Sequence, residues 1–402
     1  MVIPGGRFRE VYYWDTYWII KGLLICHMFD TAKGMLLNFF NLVQNLGHIP
    51  NGTRKYYIGR SQPPLMTMMV EEYLTRTGDF AFVKENIHHL DAEMTFWYNS
   101  RRVRVYAKDK AFIVYRYYSA IPLPRPESYR EDKITASGEH TEVGVNMRYI
   151  SIRSAAESGW DFSTRWLIFQ GENLGTLNDC ATMFIIPVDL NAFMHYNYKL
   201  LTDWHARIGN TKYVQLYNER AQYQQFLLDE LFWNPTSGIW LDYDAFHERP
   251  RDYFYLSNFV PLWTKSYTKD ADTMLIKLSQ YIDQYHFENF QGGFPTSVYT
   301  TTEQWDYPNS WPPLQVFLIQ GLGKMDTPVA SKMAKDYATL WVHSNYQGFI
   351  QFDSMFEKYD CMRPGEIGGS GEYKAQEGFG WTNAIVLELL EQYPDIPCIS
   401  KY

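Results

Sequence analysis

Tyr73-Leu-Thr-Arg-Thr-Gly-Asp79, running on into Phe80 to Tyr98, is the stretch that decides the fold. Its second part sets Phe82, Ile87, Leu90, Met94 and Trp97 at roughly helical spacing, and the Gly-Asp pair before it marks a turn. Two helices joined by so short a turn lie side by side as an αα-hairpin. The rhythm returns at Leu200 to Ile208, Gly209-Asn210 and Tyr213 to Trp233. A weaker copy joins Leu314 to Leu322 through Gly323-Lys-Met-Asp326 to Ser331 to Val342. Thr211 and Asp326 are the residues expected to start the second helices of their hairpins. About a dozen helical stretches repeat without a strict period, which predicts an all-α toroid of paired helices with its loops gathered at one end.

Two segments break the rhythm. Residues 102–118 alternate polar and apolar on both sides of Lys108-Asp109-Lys110, which predicts a β-hairpin. The Pro-rich, charged run Ile121 to Ser137 is expected to be a long ordered loop, and loops of that length in compact domains usually serve function.

Composition narrows the classes of partner. The chain has 402 residues, expected to form a single domain 1–402, with a net charge of −8 and a pI near 5.7. That balance gives no electrostatic case for nucleic acid or an anionic membrane. No apolar run reaches the ~18 residues of a membrane span. Neither a signal-peptide pattern nor a lipid-anchor tail is legible, the chain ending Pro-Cys-Ile-Ser-Lys-Tyr402, so a soluble chain is the expectation, with the compartment open. Cys26, Cys180, Cys361 and Cys398 are far apart and show no metal or disulfide spacing. Aromatic residues make up 17%, many beside Asn, Gln, Arg or Asp. Flat rings next to hydrogen-bonding groups suit the faces and hydroxyl rims of sugars, although core packing uses the same rings.

Two isolated carboxyls sit among aromatic residues: Asp161 in Glu-Ser-Gly-Trp-Asp-Phe-Ser and Glu357 in Met-Phe-Glu-Lys-Tyr-Asp. Withdrawal from water beside Trp160 and Phe162 favours a protonated acid, and a second, ionised carboxylate across a pocket activates water, the pairing that glycosidases use. The plain alternatives are a helix N-cap for Asp161 and a surface pair with Lys358 for Glu357. Arg7, Arg60 and Arg125 lie beside Gly or Pro rather than on helix faces. Their forks suit sugar hydroxyls, or else structural ion pairs with Glu10, Asp15 and Glu127. Asn51-Gly-Thr53 is a glycosylation sequon, but we expect Asn51 to contact ligand and carry no glycan. The run Gly365-Glu-Ile-Gly-Gly-Ser-Gly371 is expected to act as a lid that brings Glu372 to the site.

Pro4-Gly-Gly-Arg-Phe-Arg-Glu-Val-Tyr-Tyr-Trp-Asp-Thr-Tyr17 and Gln304-Trp-Asp-Tyr-Pro-Asn-Ser-Trp-Pro-Pro313 closely resemble the two signature sequences of the trehalase family of glycoside hydrolases. Further blocks resemble it in family order: Gly47 to Arg54, Arg60 to Pro64, Arg125 to Asp132, Glu157 to Asp161, Glu357 to Asp360 and Gly371 to Asn383. The resemblance implies an (α/α)6 toroid that hydrolyses α,α-trehalose to two glucose molecules with inversion, Asp161 as general acid and Glu357 as general base. It also implies that Arg7, Trp14, Asp15, Asn51, Arg60, Ser61, Gln62, Arg125, Glu127 and Gly159 line the sugar site. No metal or organic cofactor is called for, and the partner is a small disaccharide; oligomeric state is not legible.

Three departures qualify the resemblance. Ile367 and Ser370 interrupt a run that is more purely glycine in the family, and Ser310 replaces a small apolar residue. The first signature stands almost at Met1, so an upstream segment is expected to be missing and the toroid to be open on that side. A truncated, inactive sugar-binding chain therefore stays in view, as does a phosphorylase on a similar toroid that would use phosphate in place of base-activated water.

Overall fold

The computed structural model describes residues 1–397, so Cys398 and the reading of the chain's last residues lie outside the described residues. Its helices, in order, are α1 (Asp15–Ile25), α2 (Phe29–Leu46), α3 (Met66–Thr77), α4 (Phe80–Ser100), α5 (Tyr129–Thr135), α6 (Glu142–Glu157), α7 (Val188–Ile208), α8 (Thr211–Leu227), α9 (Val260–Trp263), α10 (Ala271–Gln284), α11 (Pro312–Gly323), α12 (Pro328–Phe352) and α13 (Gly380–Gln392).

Burial sorts these helices into layers. α1 is buried without a break from Asp15 to Gly22, and α11 from Pro312 to Leu322. A helix closed to water on every side belongs at the centre. By contrast α2 buries one stripe, Ala32, Met35, Leu36, Phe39, Phe40 and Val43, and so lies outside. Six helices, α1, α3, α7, α9, α11 and α13, touch in a closed circuit in which α1 meets α13. Gly22 permits that last contact, because a Cβ there would come within 2.8 Å of the Ala384 methyl. Outside the circuit α2, α4, α8 and α12 each pack on an inner neighbour. This is the toroid of paired helices that the hairpin rhythm predicts. Among the described residues, no helix is long and apolar enough to cross a membrane.

The turns behave as expected, with one shift. α3 and α7 end on the left-handed residues Gly78 and Gly209, and the Asp79 side chain accepts from the Phe82 N–H to start α4. Thr211 starts α8 as expected, behind Asn210 at the N-cap, whereas α12 starts behind Thr327 rather than at Asp326. Asp326 sits in the turn at φ +56°, while the Thr327 hydroxyl accepts from Ala330 N–H.

The β-hairpin is present as β1 (Arg102–Ala107) and β2 (Lys110–Tyr115), paired from Arg102↔Tyr115 to Ala107↔Lys110. Lys108 and Asp109 both take positive φ, as a two-residue turn matched to strand twist requires. The stretch 121–137 is a correction: it holds a 3-10 turn at Pro126–Ser128 and then α5. Pro126 enters at a helix start, where its missing N–H has no helical partner to lose.

One ion cluster locks a loop to the ring. Arg165, fully buried, donates from Nη1 and Nη2 to Asp189 at 2.9 Å in the first turn of α7, and from Nε to Asp242 at 2.7 Å. Its guanidinium also lies 4.5 Å from the Trp160 ring. Removing only the cation leaves two carboxylates in the interior without their partner. Arg165→Met is therefore expected to cost about 3–5 kcal/mol, read as a lower denaturant midpoint, whereas Lys332→Ala in an exposed pair with Asp336 should leave the midpoint in place.

Candidate active site

Loops from six parts of the chain close around a cavity of about 310 Å³. Arg7 to Asp15 form one wall, residues 51–62 a second, Arg125 to Ser128 a third, and Gly159 with Asp161 a fourth. Trp305 with Trp311 and the run from Glu357 to Trp381 complete it. Of the residues expected in the site, Arg7, Trp14, Asp15, Asn51, Arg60, Gln62, Arg125, Glu127, Gly159, Asp161, Glu357 and Glu372 all line this cavity. Ser61 does not. Its hydroxyl donates to Ile49 C=O at 2.6 Å and its N–H to Glu157 at 2.8 Å, so it holds the wall from behind.

The two central carboxyls meet different surroundings. Glu357 is 2% exposed, and its oxygens accept from the Tyr373 hydroxyl at 2.7 Å and the Gln376 N–H at 3.0 Å. Burial raises it above the usual carboxylate range, opposed by those two donors and by Lys358 and Arg7. Asp161 is half-buried, and its carboxyl accepts from its own backbone N–H, with no donor from another residue among those described. Burial pushes it up to about 7, against the pull of Arg125 and with the help of Glu372. Asp15, buried at the start of α1, is pushed up to about 8 by burial and by the charges of Glu357 and Asp161. The N-cap and surface-pair alternatives are not what the structure holds: Ser163 caps the turn that follows Asp161, and Glu357 and the neighbouring Lys358 are both buried.

The arginines divide their work. Arg60 pairs with Glu127 and lies 4.9 Å from the Tyr57 ring. Its Nε and Nη1, and Glu127 Oε2, are buried without a protein partner. Arg125 is clamped by Asp132 at 2.7 Å and also reaches Glu372 at 3.0 Å. Arg7 makes no ion pair among the described residues; its guanidinium lies 4.7 Å from the Tyr373 ring. Glu10 pairs with Arg54 instead.

Several backbones are fixed by side chains from elsewhere. Gln62 accepts from the Trp14 N–H at 3.0 Å, and Asn51, 4% exposed, donates to Ala156 C=O at 3.2 Å. So enclosed an asparagine is a poor glycan acceptor. Gly159 has φ +81°, and a Cβ would come within 2.8 Å of the Trp14 indole, so both conformation and space demand glycine. Trp160 stacks on Trp305 at 5.3 Å, and Trp305 on Trp311 at 3.9 Å. Asn309–Ser310 pair with Tyr359–Asp360, which carries the second signature to the Glu357 loop. Ser310 fits there by donating to Phe294 C=O at 2.8 Å. Among the described residues no three His, Cys, Asp or Glu side chains group as metal ligands.

Sequence reasoning missed Lys358, Tyr373 and Asp306. Lys358 is next to Glu357, and its Nζ donates to the Gly369 and Ser370 carbonyls at 2.6 and 3.0 Å. Asp306, inside the second signature, accepts from Ser163 Oγ at 2.8 Å and from both the N–H and the hydroxyl of Thr164 at 2.9 Å. It also accepts from Ser297 at 2.7 Å and Thr301 at 2.8 Å. It thereby fixes the segment that follows Asp161.

A sequence model described as trehalase matches residues 1–394. The chain is 44% identical over 396 residues to a trehalase of Apis mellifera, covering 98% of this chain and 63% of that protein. It is 42% identical over 394 residues to a trehalase of Homo sapiens, covering 98% and 67%. The chain thus spans about two thirds of the length of these relatives. The neutral trehalase Nth1 of Saccharomyces cerevisiae superposes with a TM-score of 0.77 at 22% identity, covering 97% of this chain and 73% of that one. A GH63 mannosylglycerate hydrolase of Thermus thermophilus superposes at 0.65 and 16% identity, covering 96% and 95%. Both likenesses speak to the helical toroid.

Asp306→Ala strips a shared acceptor from four hydroxyls and one N–H in the interior. At about 1 kcal/mol or more for each orphaned donor, the melting temperature should fall by several degrees. Any activity of the cavity should fall with it, even though Asp306 does not line the cavity.

Proposed function

The chain belongs to the trehalase family, and on that premise we propose that it hydrolyses α,α-trehalose to two glucose molecules with inversion, Asp161 as general acid and Glu357 as general base. The observation that carries the reading is the asymmetry of two carboxyls in one cavity. Glu357 has hydrogen-bond donors on both oxygens, with Lys358 and Arg7 nearby, all of which favour its ionised form. Asp161 has no donor from another residue, only its own backbone N–H, and burial pushes it up to about 7, which favours a proton.

The step follows from that asymmetry. Glu357 takes a proton from a water molecule as its oxygen attacks the anomeric carbon of one glucose. The bond from that carbon to the bridging oxygen breaks, and Asp161 gives its proton to the departing oxygen. Attack from the face opposite the leaving group turns the attacked α-glucosyl unit into β-glucose and releases the other as α-glucose. Arg60, Glu127, Asn51, Gln62 and Arg125 supply donors and acceptors for hydroxyls, and Trp14 a flat face. Burial pushes Asp15 up to about 8, which favours its neutral form beside the ionised Glu357. Residues 1–397 share one continuous buried core, which supports taking the chain as one catalytic domain.

Time-resolved proton NMR tests the reading. Early spectra should show one β-glucose for each α-glucose, and two α-glucose molecules would exclude inversion. Asp161→Asn and Glu357→Gln should each lower kcat roughly 10²–10⁴-fold or more with the melting temperature unchanged. Because Asp161 must be protonated and is held near 7, kcat/KM should be lost as pH rises through about 7. A basic limb that persists unchanged when Asp161 is replaced would assign it to another group.

A further inference from the structure

The segment Gly365–Tyr373 is fastened at three places in succession. Lys358 Nζ holds the carbonyls of Gly369 and Ser370. Glu372 then accepts from Arg125 Nη2 at 3.0 Å and from Ser128 Oγ at 2.9 Å. The next residue, Tyr373, places its hydroxyl 2.7 Å from Glu357 Oε1. Two adjacent residues of one strap therefore reach the two halves of the cavity, one beside the arginine that faces Asp161 and the other on Glu357.

We infer that Tyr373 is a positioning residue for the base: its hydroxyl orients the Glu357 carboxylate and holds it ionised, and the strap that carries it sets the acid through Glu372 in the same closure. The inference rests on the reading of Glu357 as base. Glu357 is faced by Tyr373, the Gln376 N–H, Lys358 and Arg7, with Asp15 nearby. Asp161 is faced by Arg125, Glu372 and Arg60, with Lys358, Asp15 and Tyr373 nearby. Within this set the strap contributes a donor that lowers Glu357 and a negative charge that raises Asp161. Withdrawing the strap removes both and draws the two carboxyls together in acidity. A free loop that merely covers the cavity would lack these opposed contacts.

The tyrosine ring also packs edge-on against Phe8 at 5.4 Å and lies under Arg7. Tyr373→Phe keeps those contacts and removes only the hydroxyl. Losing a donor to a carboxylate raises its pKa, so the acid limb of kcat/KM should move up by about 0.5–1 pH unit while the basic limb stays. Glu372→Gln removes a negative charge near Asp161, so the basic limb should move down while the acid limb stays. A carbon-13 titration of glutamate side-chain carboxyls, with the Glu357 signal identified by its loss in Glu357→Gln, reads the same upward shift in Tyr373→Phe without turnover. If Tyr373→Phe lowers the rate evenly across pH and the Glu357 signal titrates as in the wild type, the inference is overturned. If the wild-type chain leaves trehalose intact, the hydrolytic reading fails and takes the role of Tyr373 as support for a base with it; the carboxyl titration tells that failure from the first.

Discussion

Holding three carboxyls around one cavity, two of them buried, is the constraint on which the rest of this structure depends. Asp15 and Glu357 are buried and Asp161 is half-buried, and none has a bidentate arginine of its own. Left alone, such groups all move toward neutrality, and a site of neutral acids contains no base. The protein resolves this unequally. Donors are concentrated on Glu357, while Asp161 faces charge of both signs through Arg125 and Glu372. Arg125 itself is largely engaged by Asp132, which limits how far it can draw Asp161 down.

That unequal treatment requires groups from distant parts of the chain to be fixed to within a hydrogen-bond length, and this is what the toroid supplies. Helices α1 and α11 of the inner circuit are buried on all sides and carry the loop ends with them. Asp306 ties the segment after Asp161 to residues 297–301, and Arg165 ties the same segment to α7 and Asp242. The column Trp160, Trp305, Trp311 fills the space between them and ends beside Lys358, 5.2 Å from the Trp311 ring. Buried pairs of this kind carry large penalties when one partner is lost, whereas exposed pairs such as Lys332 with Asp336 contribute little. Position, rather than the number of ion pairs, decides which of them matter.

The sequence was most legible where geometry is local. Apolar spacing and Gly-Asp or Gly-Asn turns located α3 with α4, α7 with α8 and α11 with α12, since both signals act within a few residues. At α12 the start slipped past Asp326 because Thr327, whose hydroxyl accepts from the Ala330 N–H, offers the same capping chemistry. The stretch 121–137 read as loop because its prolines mask a short helix, which Pro126 in fact helps to begin. In the cavity, the family blocks brought the lining residues together, but Ser61 turned away because its neighbours at Ile49 and Glu157 claim it. Lys358 could not be placed from sequence at all. A lysine next to a glutamate looks like a surface pair, and only the folded strap, with two carbonyls for its ammonium group, makes burial tolerable.

Lys358 also joins Asp161 and Glu357, the proposed acid and base, in one electrostatic unit. Burial lowers it to about 8, against the pull of Glu357 and Asp161, so its own charge depends on the carboxyls it helps to control. Deprotonating Asp161 favours the lysine cation, and that cation in turn favours an ionised Glu357. A proton given up on one side of the cavity is thus felt on the other through a side chain that never needs to touch substrate. The strap joins the same circuit, since the Gly369 and Ser370 carbonyls that hold Lys358 lie just ahead of Glu372 and Tyr373 in the chain. Moving that backbone changes the lysine, the neighbour of Asp161 and the donor to Glu357 together, so on the proposed reading the strap is part of the catalytic arrangement and not a cover laid over it.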